Sequence, residues 1–136
     1  MAEVRVLIVP PTHSFPSLKH IVLAIDQKDI CSSVLAPLQK LALNFIAKVT
    51  VLNVHKSSNK NKINNVEFPI RDVETTYREV LMIKSINESI GEFIKKEKCD
   101  LLCMVRRKKN ESVFQTSITK DQVYKNQIPL LILPEN

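Results

Sequence analysis

The chain has 136 residues, of which 44% are hydrophobic and 25% charged. This is typical of one globular domain that buries a core without disulfides or metal. No run approaches the roughly 20 apolar residues that span a bilayer, and Glu3 and Arg5 make residues 1–10 a poor signal peptide. The net charge is +6, but scattered basic residues usually keep a surface soluble. We therefore expect neither a nucleic acid nor a membrane as a partner.

Cysteine usage indicates the compartment. Cys31, Cys99 and Cys103 are odd in number and sit in apolar segments. We interpret them as reduced, buried thiols of a cytoplasmic protein, because structural disulfides belong to oxidising compartments. The sequence has no CxxC motif and its histidines are distant from these cysteines, so no metal site is expected.

Two short apolar runs closed by proline stand at residues 4–9 and 128–133. Each is typical of a buried or sheet-joining strand that ends abruptly. Residues 10–16 contain three prolines and predict a linker. The sequence thus predicts a whole domain preceded by a spare copy of its own last strand, as in a piece of a longer protein with two such domains in tandem.

The first half of the domain alternates strand and helix patterns. Residues 20–26 are an apolar run that ends in a carboxylate, Asp26, as a central parallel strand would. Helical spacing over 29–47 predicts an amphipathic helix, which Pro37 either kinks or restarts as a new first turn. Residues 48–54 are rich in β-branched residues and predict the next strand. A polar loop over 55–65 follows.

The second half continues this alternation. A short helix over 69–75 is followed by a third strand over 76–81. Ser85 and Glu88 have the spacing of a capping box at the start of a helix. A fourth strand over 100–105, a helix over 116–126 and the last strand over 128–133 complete the pattern.

Strands that alternate with helices imply a parallel sheet covered on both faces, with right-handed crossovers. Ligands of such sheets bind beyond the carboxyl ends of the strands, where the strand order reverses. This rule places Asp26 and the segment after Val105 at the predicted site.

Over about residues 18–134 the order of these features resembles the universal stress protein family. The resemblance rests on the strand that ends in Asp26, the proline-bearing first helix, residues 100–102 (DLL) after the capped helix, residues 116–120 (TSITK) and the closing residues 128–134 (IPLLILP). It implies a doubly wound, Rossmann-like α/β sheet of five mostly parallel strands in the order 3-2-1-4-5, with helices on both faces.

Residues 4–26 resemble the junction between the two domains of tandem members of this family. We therefore expect residues 1–17 to be a strand and linker left from a preceding domain. Residues 18–136 are expected to form the universal stress protein-like domain. The strand in the first segment would be extra to the five-stranded sheet and would pair at its edge.

ATP-binding members of the family carry a loop after the fourth strand: Gly, two residues, Gly, nine residues, then Gly before Ser or Thr. The only glycine of this chain is Gly91, in a predicted helix. The three glycine positions fall at about Val105, Lys108 and Thr116, with seven intervening residues instead of nine, and only Ser117 matches. Val105 and Lys108 should block phosphate from the backbone amides. We therefore expect no ATP binding and no cofactor.

Two interpretations of the basic residues 106–109 stay open. They form either a solvated loop or part of an anion site at the sheet mouth, which would comprise Asp26, Arg106, Arg107, Lys108 and Ser117. Asp26 is expected to pair with an arginine rather than to act in catalysis, and Ser117 to cap the helix over 116–126. No catalytic arrangement is recognisable, so no enzyme is predicted.

The resemblance also implies that the last strand is an edge that pairs with its equivalent in a partner domain. Because an unpaired apolar edge invites aggregation, we predict antiparallel pairing between residues 4–9 and 130–133. The strand residues concerned are Val4, Val6, Ile8, Leu130, Leu131 and Ile132.

The leading hypothesis is a non-enzymatic stress-response domain that acts through protein–protein contacts. Its partner would be a preceding universal stress protein domain or a second copy, besides an unknown protein. The first alternative is a sensor of a small ligand, nucleotide or anion at the mouth near Asp26 and Arg106. A weaker alternative is a vestigial nucleotide hydrolase.

Overall fold

The computed structural model describes residues 6–9, 18–25, 33–55, 70, 72–82, 85–106 and 128–134. Each of the two described helices lies between two strands, as predicted. The elements are β1 Val6–Ile8, β2 His20–Ile25, α1 Ala36–Phe45, β3 Lys48–His55, β4 Thr75–Leu81, α2 Ile86–Glu97, β5 Leu101–Arg106 and β6 Leu130–Pro134. The predicted helix over 116–126, the linker over 10–16 and most of the loop over 55–65 lie outside the described residues.

Strands β2 to β6 form a parallel sheet in the spatial order β4-β3-β2-β5-β6. Numbered within the domain, this is the predicted order 3-2-1-4-5. The fold class is therefore confirmed.

Strand β1 extends this sheet beyond β6, in the predicted antiparallel direction. The opposed residues are Val6 and Ile132, Leu7 and Leu131, and Ile8 and Leu130. In the described part of the chain the strand spans Val6–Ile8, Val9 follows it outside the strand, and Val4 lies outside the described residues. The antiparallel pairing predicted from the resemblance and from the need to cover an apolar edge is confirmed for residues 6–8.

The sheet buries both of its faces because successive side chains of a strand point to opposite sides. Ile21 and Leu23 of β2 share one core cluster with Leu38 of α1. The alternate residue Val22 belongs to a second cluster, together with Ile90 of α2. The two described helices thus cover opposite faces, as expected of a doubly wound sheet.

Helix α1 begins later than the periodicity predicts. Residues 33–35 form a turn, and the helix starts at Ala36 with Pro37 in its first turn. A proline is tolerated there because its missing N–H would have no intrahelical acceptor. Of the two predictions for Pro37, the new first turn is the one observed.

Helix α2 begins at the predicted cap. The backbone N–H of Glu88 donates to Ser85 Oγ at 3.1 Å, which satisfies one of the free amides of the first turn. The helix ends at Lys98, which adopts a left-handed conformation (φ 54°). In α1 the equivalent residue is Ile46 (φ 53°). Both helices therefore end without the glycine that usually occupies this position.

The predicted short helix over 69–75 is wrong for its described residues. Asp72 has a left-handed backbone (φ 63°), which a right-handed helix cannot contain. Glu74 joins the sheet instead, since its carbonyl accepts a hydrogen bond from Val49 N at 2.8 Å. Strand β4 begins directly afterwards, at Thr75.

Candidate functional site

The strand order reverses between β2 and β5, which are adjacent and parallel. From β2 the chain continues to β3 on one side, and from β5 to β6 on the other. Parallel sheets open a crevice at the carboxyl ends of such strands. The ends that frame this mouth are Ile25 of β2 and Arg106 of β5.

The structure places one predicted site residue at this mouth by its backbone. Arg106 is the last residue of β5 and lies opposite Pro134 of β6. Its side chain lies outside the described part of the molecule, as do Asp26, Arg107, Lys108 and Ser117. The predicted anion site and the pairing of Asp26 with an arginine therefore stay predictions.

The position that resembles the first glycine of the ATP loop is well defined. Val105 lies inside β5, opposite Leu133, and is 6% exposed in the core cluster under α1. In the described chain the residues with positive φ are Ile46, Asp72 and Lys98. At Val105 the backbone is thus an extended strand, where the ATP-binding loop would need a sharp turn.

A polar row that sequence reasoning missed crosses the sheet near the same end, from the buried Asn53 through the half-buried Tyr77 to the exposed Glu79. Asn53 lies opposite Ile25 on one side and Glu79 on the other, and it is 1% exposed. Asn53 Nδ2 donates to Tyr77 Oη at 3.2 Å, and Tyr77 Oη donates to Glu79 Oε1 at 3.4 Å. The signal in the sequence was one asparagine within the otherwise apolar residues 51–54.

The acceptor of this row is incompletely satisfied. Asn53 Oδ1 is buried without a hydrogen-bond partner among the described residues, a state that costs about 1–3 kcal/mol. Burial raises the pKa of the Tyr77 hydroxyl, the hydrogen bond from Asn53 lowers it in part, and Glu79 raises it further. Tyr77 is therefore neutral at physiological pH. Chemically, the row can accept an N–H or O–H group, but it contains no activated nucleophile.

At the opposite, amino end of the sheet, hydrogen bonds join the start of β2 to the residues before β5. Asp100 Oδ2 accepts from the backbone N–H groups of Lys19 and His20, both at 2.9 Å. The His20 ring contacts Glu97 O at 3.2 Å through Nδ1 and Thr50 Oγ1 at 2.7 Å through Nε2. Because a carbonyl only accepts, Nδ1 carries a proton. These contacts fasten β2 to β5 and α2, so His20 is a structural histidine.

The described cysteines are inert. Burial raises the pKa of the Cys99 thiol to about 12 and raises that of Cys103 as well. Cys99 donates to the carbonyl of Leu101 at 3.0 Å. The described residues contain no group of three or more His, Cys, Asp or Glu side chains that could hold a metal ion. Cys31 lies outside these residues.

No helix in the described part of the chain is long and apolar enough to cross a membrane.

Comparison with known proteins gives structural matches alone. No protein-family model matches the sequence, and no curated protein matches it. A universal stress protein from Archaeoglobus fulgidus DSM 4304 superposes with a TM-score of 0.74 at 11% identity, over 100% of this chain and 51% of its own. This chain thus spans about half the length of that neighbour.

Two other solved structures contain nucleotides. A universal stress protein in complex with cAMP matches with a TM-score of 0.64 and 14% identity, over 88% of this chain and 99% of its own. The universal stress protein from Archaeoglobus fulgidus in complex with dAMP matches with a TM-score of 0.57 and 14% identity, over 85% and 97%. The sheet order, the two helices on opposite faces and these superpositions together show that the chain has the universal stress protein fold.

Proposed function

We propose that the chain is a non-enzymatic domain of the universal stress protein type that acts through contacts with another protein domain at the β6 edge. The observation that carries this proposal is the antiparallel pairing of β1 with β6. β6 is apolar, and an apolar edge strand left bare presents free amides and carbonyls to other chains. A strand from outside the five-stranded domain removes that hazard.

The length of one neighbour supports a tandem arrangement. The neighbour of twice the length superposes on the whole of this chain, including the segment before β2. We infer that residues 1–17 represent the last strand and linker of a preceding domain, and that residues 18–136 form the next one. The partner at the edge is then that preceding domain or, where none is present, a second copy. The buried thiols Cys99 and Cys103 fit a reducing compartment such as the cytoplasm.

We further propose that the domain does not bind ATP. The support is Val105, which has an extended backbone and a buried side chain and which the family resemblance puts at about the first glycine of the loop. Calorimetric titration with ATP and with ADP in the presence of magnesium should show no heat of binding. A one-to-one isotherm in the micromolar range would contradict this part of the proposal.

A second candidate function is a sensor of a nucleotide or another anion at the mouth near Asp26 and Arg106. It is favoured by Asn53 Oδ1, which is buried next to Ile25 without a hydrogen-bond partner among the described residues, and by the cAMP and dAMP held by two neighbours. Titration with AMP, cAMP and inorganic phosphate tests it. Binding that is lost in an Arg106→Ala, Arg107→Ala double variant would favour the sensor, and binding unchanged in that variant would exclude this site.

The contact at the β6 edge is tested by offering a strand from another polypeptide. A carrier protein bearing residues 1–17 should bind a chain that lacks residues 2–9, because the bared β6 offers free backbone groups. It should not bind the full chain, whose own β1 already occupies the edge. The matched control carries Leu7→Pro in the offered segment, since proline removes an amide and fits poorly in a paired strand. Equal binding to the full chain, or of the proline control, would contradict the proposal.

A further inference from the structure

A cleft opens at the amino ends of β2, β3 and β4, away from the predicted anion mouth and from the β6 edge. Its volume is about 540 Å³, and the last turn of α1 forms one wall. The backbone holds its sides firmly, since Lys48 N donates to Lys19 O at 2.9 Å and Val49 N donates to Glu74 O at 2.8 Å. The cleft is therefore a built feature of the sheet end.

The charged residues that line the cleft are separated by sign. Lys19 and Lys48 stand at the starts of β2 and β3, whereas Asp72 and Glu74 precede the neighbouring strand β4. Within the described residues the one ion pair joins Arg78 to Glu97, so these four charges have no ionic partner there. Lys19 Nζ instead donates to the carbonyl of Phe45 at 3.4 Å. The result is a row that runs from positive to negative across the sheet end.

The wall of the cleft carries an apolar side chain in an unfavourable position. Ile46 is 86% exposed and has a left-handed backbone (φ 53°), which is a genuine outlier for a β-branched residue. Leu43, one turn earlier on the same wall, is 44% exposed. Glycine or asparagine would take this backbone conformation more easily, and a polar residue would suit the exposure. An exposed apolar projection thus stands beside an apolar hollow.

These observations favour one occupant. A ligand of a single sign would meet repulsion from either the lysines or the carboxylates, which argues against an anionic surface. A second copy related by a two-fold axis reverses the row, so that Lys48 of each copy faces Glu74 of the other. A self-complementary interface of this kind can then set Ile46 of each copy against the hollow of the other. We propose that this cleft is a docking surface for a second copy of the chain.

Sedimentation equilibrium on single-charge variants tests the proposal. The full chain should form dimers as its concentration rises. Lys48→Glu alone places two acidic residues face to face at each contact, and Glu74→Lys alone does the same with basic residues. Each variant should dimerise at least about tenfold more weakly. An equimolar mixture of the two should recover dimers, because every contact then joins opposite charges.

Ile46→Asn provides a check that does not depend on charge. Asparagine tolerates the left-handed backbone, so the fold, verified by circular dichroism, should be kept while dimerisation is lost. A dimer that survives the single-charge variants uses another surface, and that result would overturn the proposal. A full chain that stays monomeric, or a mixture that fails to recover dimers, would also overturn it.

Discussion

The two outermost strands of the parallel sheet differ in composition and in what covers them. On one side β4 is the outermost strand, and Thr75, Thr76, Arg78 and Glu79 are exposed along it. On the other side the fifth parallel strand, β6, is built of leucine and isoleucine, and the short β1 lies outside it. Leu130 and Leu133 of β6 are 1% and 0% exposed.

This difference shows how each edge avoids unwanted pairing. Charged and hydroxylic side chains on β4 discourage another strand, which is a usual protection of natural sheets. An apolar strand such as β6 lacks that protection and needs a cover. The cover, β1, spans three residues in the part of the chain that the structure describes, and a short edge is itself a poor template. The edge that needs a partner is therefore β6, which is why we assign the domain contact to it.

The comparison predicts a large difference between two identical substitutions. Leu133→Ala on β6 empties a site in the core under α1 and should lower the free energy of unfolding by about 2–5 kcal/mol. Leu81→Ala on β4 removes a side chain that is 52% exposed and should change it by less than about 0.5 kcal/mol. Denaturant unfolding of both variants measures the contrast. Similar losses of unfolding free energy in the two variants would show that β4 and β6 are packed equally well.

A pH series tests the packing on the β6 side of the sheet, because the thiol of Cys103 is buried there, on β5, the strand next to β6. Its thiol pKa is raised in the fold and that of Cys99 is raised to about 12, whereas unfolded thiols ionise near pH 8.5. Because the folded pKa lies above the unfolded one, the stability that each protonated thiol contributes is complete below about pH 8.5 and declines as the pH rises above that value. We expect each thiol to lower the free energy of unfolding by up to about 1.4 kcal/mol per pH unit between pH 9 and 10.

The control for the pH series is Cys103→Ala, measured in a Cys31→Ser background. Its unfolding free energy should decline less steeply over the same range, because one of the two buried thiols is missing. An unchanged slope would mean that Cys103 does ionise in the folded chain.

The smallest expected effect is on the β4 side. Arg78 forms an ion pair with Glu97 at 3.3 Å and lies 5.6 Å from the centre of the Phe93 ring. Because the pair is partly exposed, Arg78→Ala should cost about 0.5–1 kcal/mol, through lost packing as well as charge. Lys96→Ala, on the exposed face of α2, is the matched control and should cost less. A loss of more than about 2 kcal/mol in the free energy of unfolding would contradict the expectation that contacts at the β4 edge contribute little to stability.

Much of the fold could be predicted because local signals agreed with the global arrangement. The apolar run over 20–26 and the β-branched run over 48–54 predict strands at their observed positions within a residue. The spacing of Ser85 and Glu88 predicts the start of α2. Pairing of β1 with β6 followed from an apolar edge that had to be covered.

Other features could not be read from local patterns. The first turn of α1 is set at Pro37 rather than at the start of the periodic segment, because the missing amide decides where a helix can begin. The turn at Asp72 depends on Glu74 joining β3. The row from Asn53 to Glu79 depends on the register of β3 against β4, which joins residues distant in sequence. The anion site predicted at Asp26 and Arg106 stays a prediction.

The most direct test of the central claim is the size of the chain in solution after its first strand is removed. Deleting residues 2–9 bares β6, and light scattering with size-exclusion chromatography should then show a larger average mass than for the full chain, or a loss of solubility. Leu7→Lys is the control, because that side chain is 54% exposed and its replacement leaves the strand pairing in place. We expect the control to have the average mass and the solubility of the full chain at the same concentration. A deletion variant with the same average mass, stability and solubility as the control would contradict the claim.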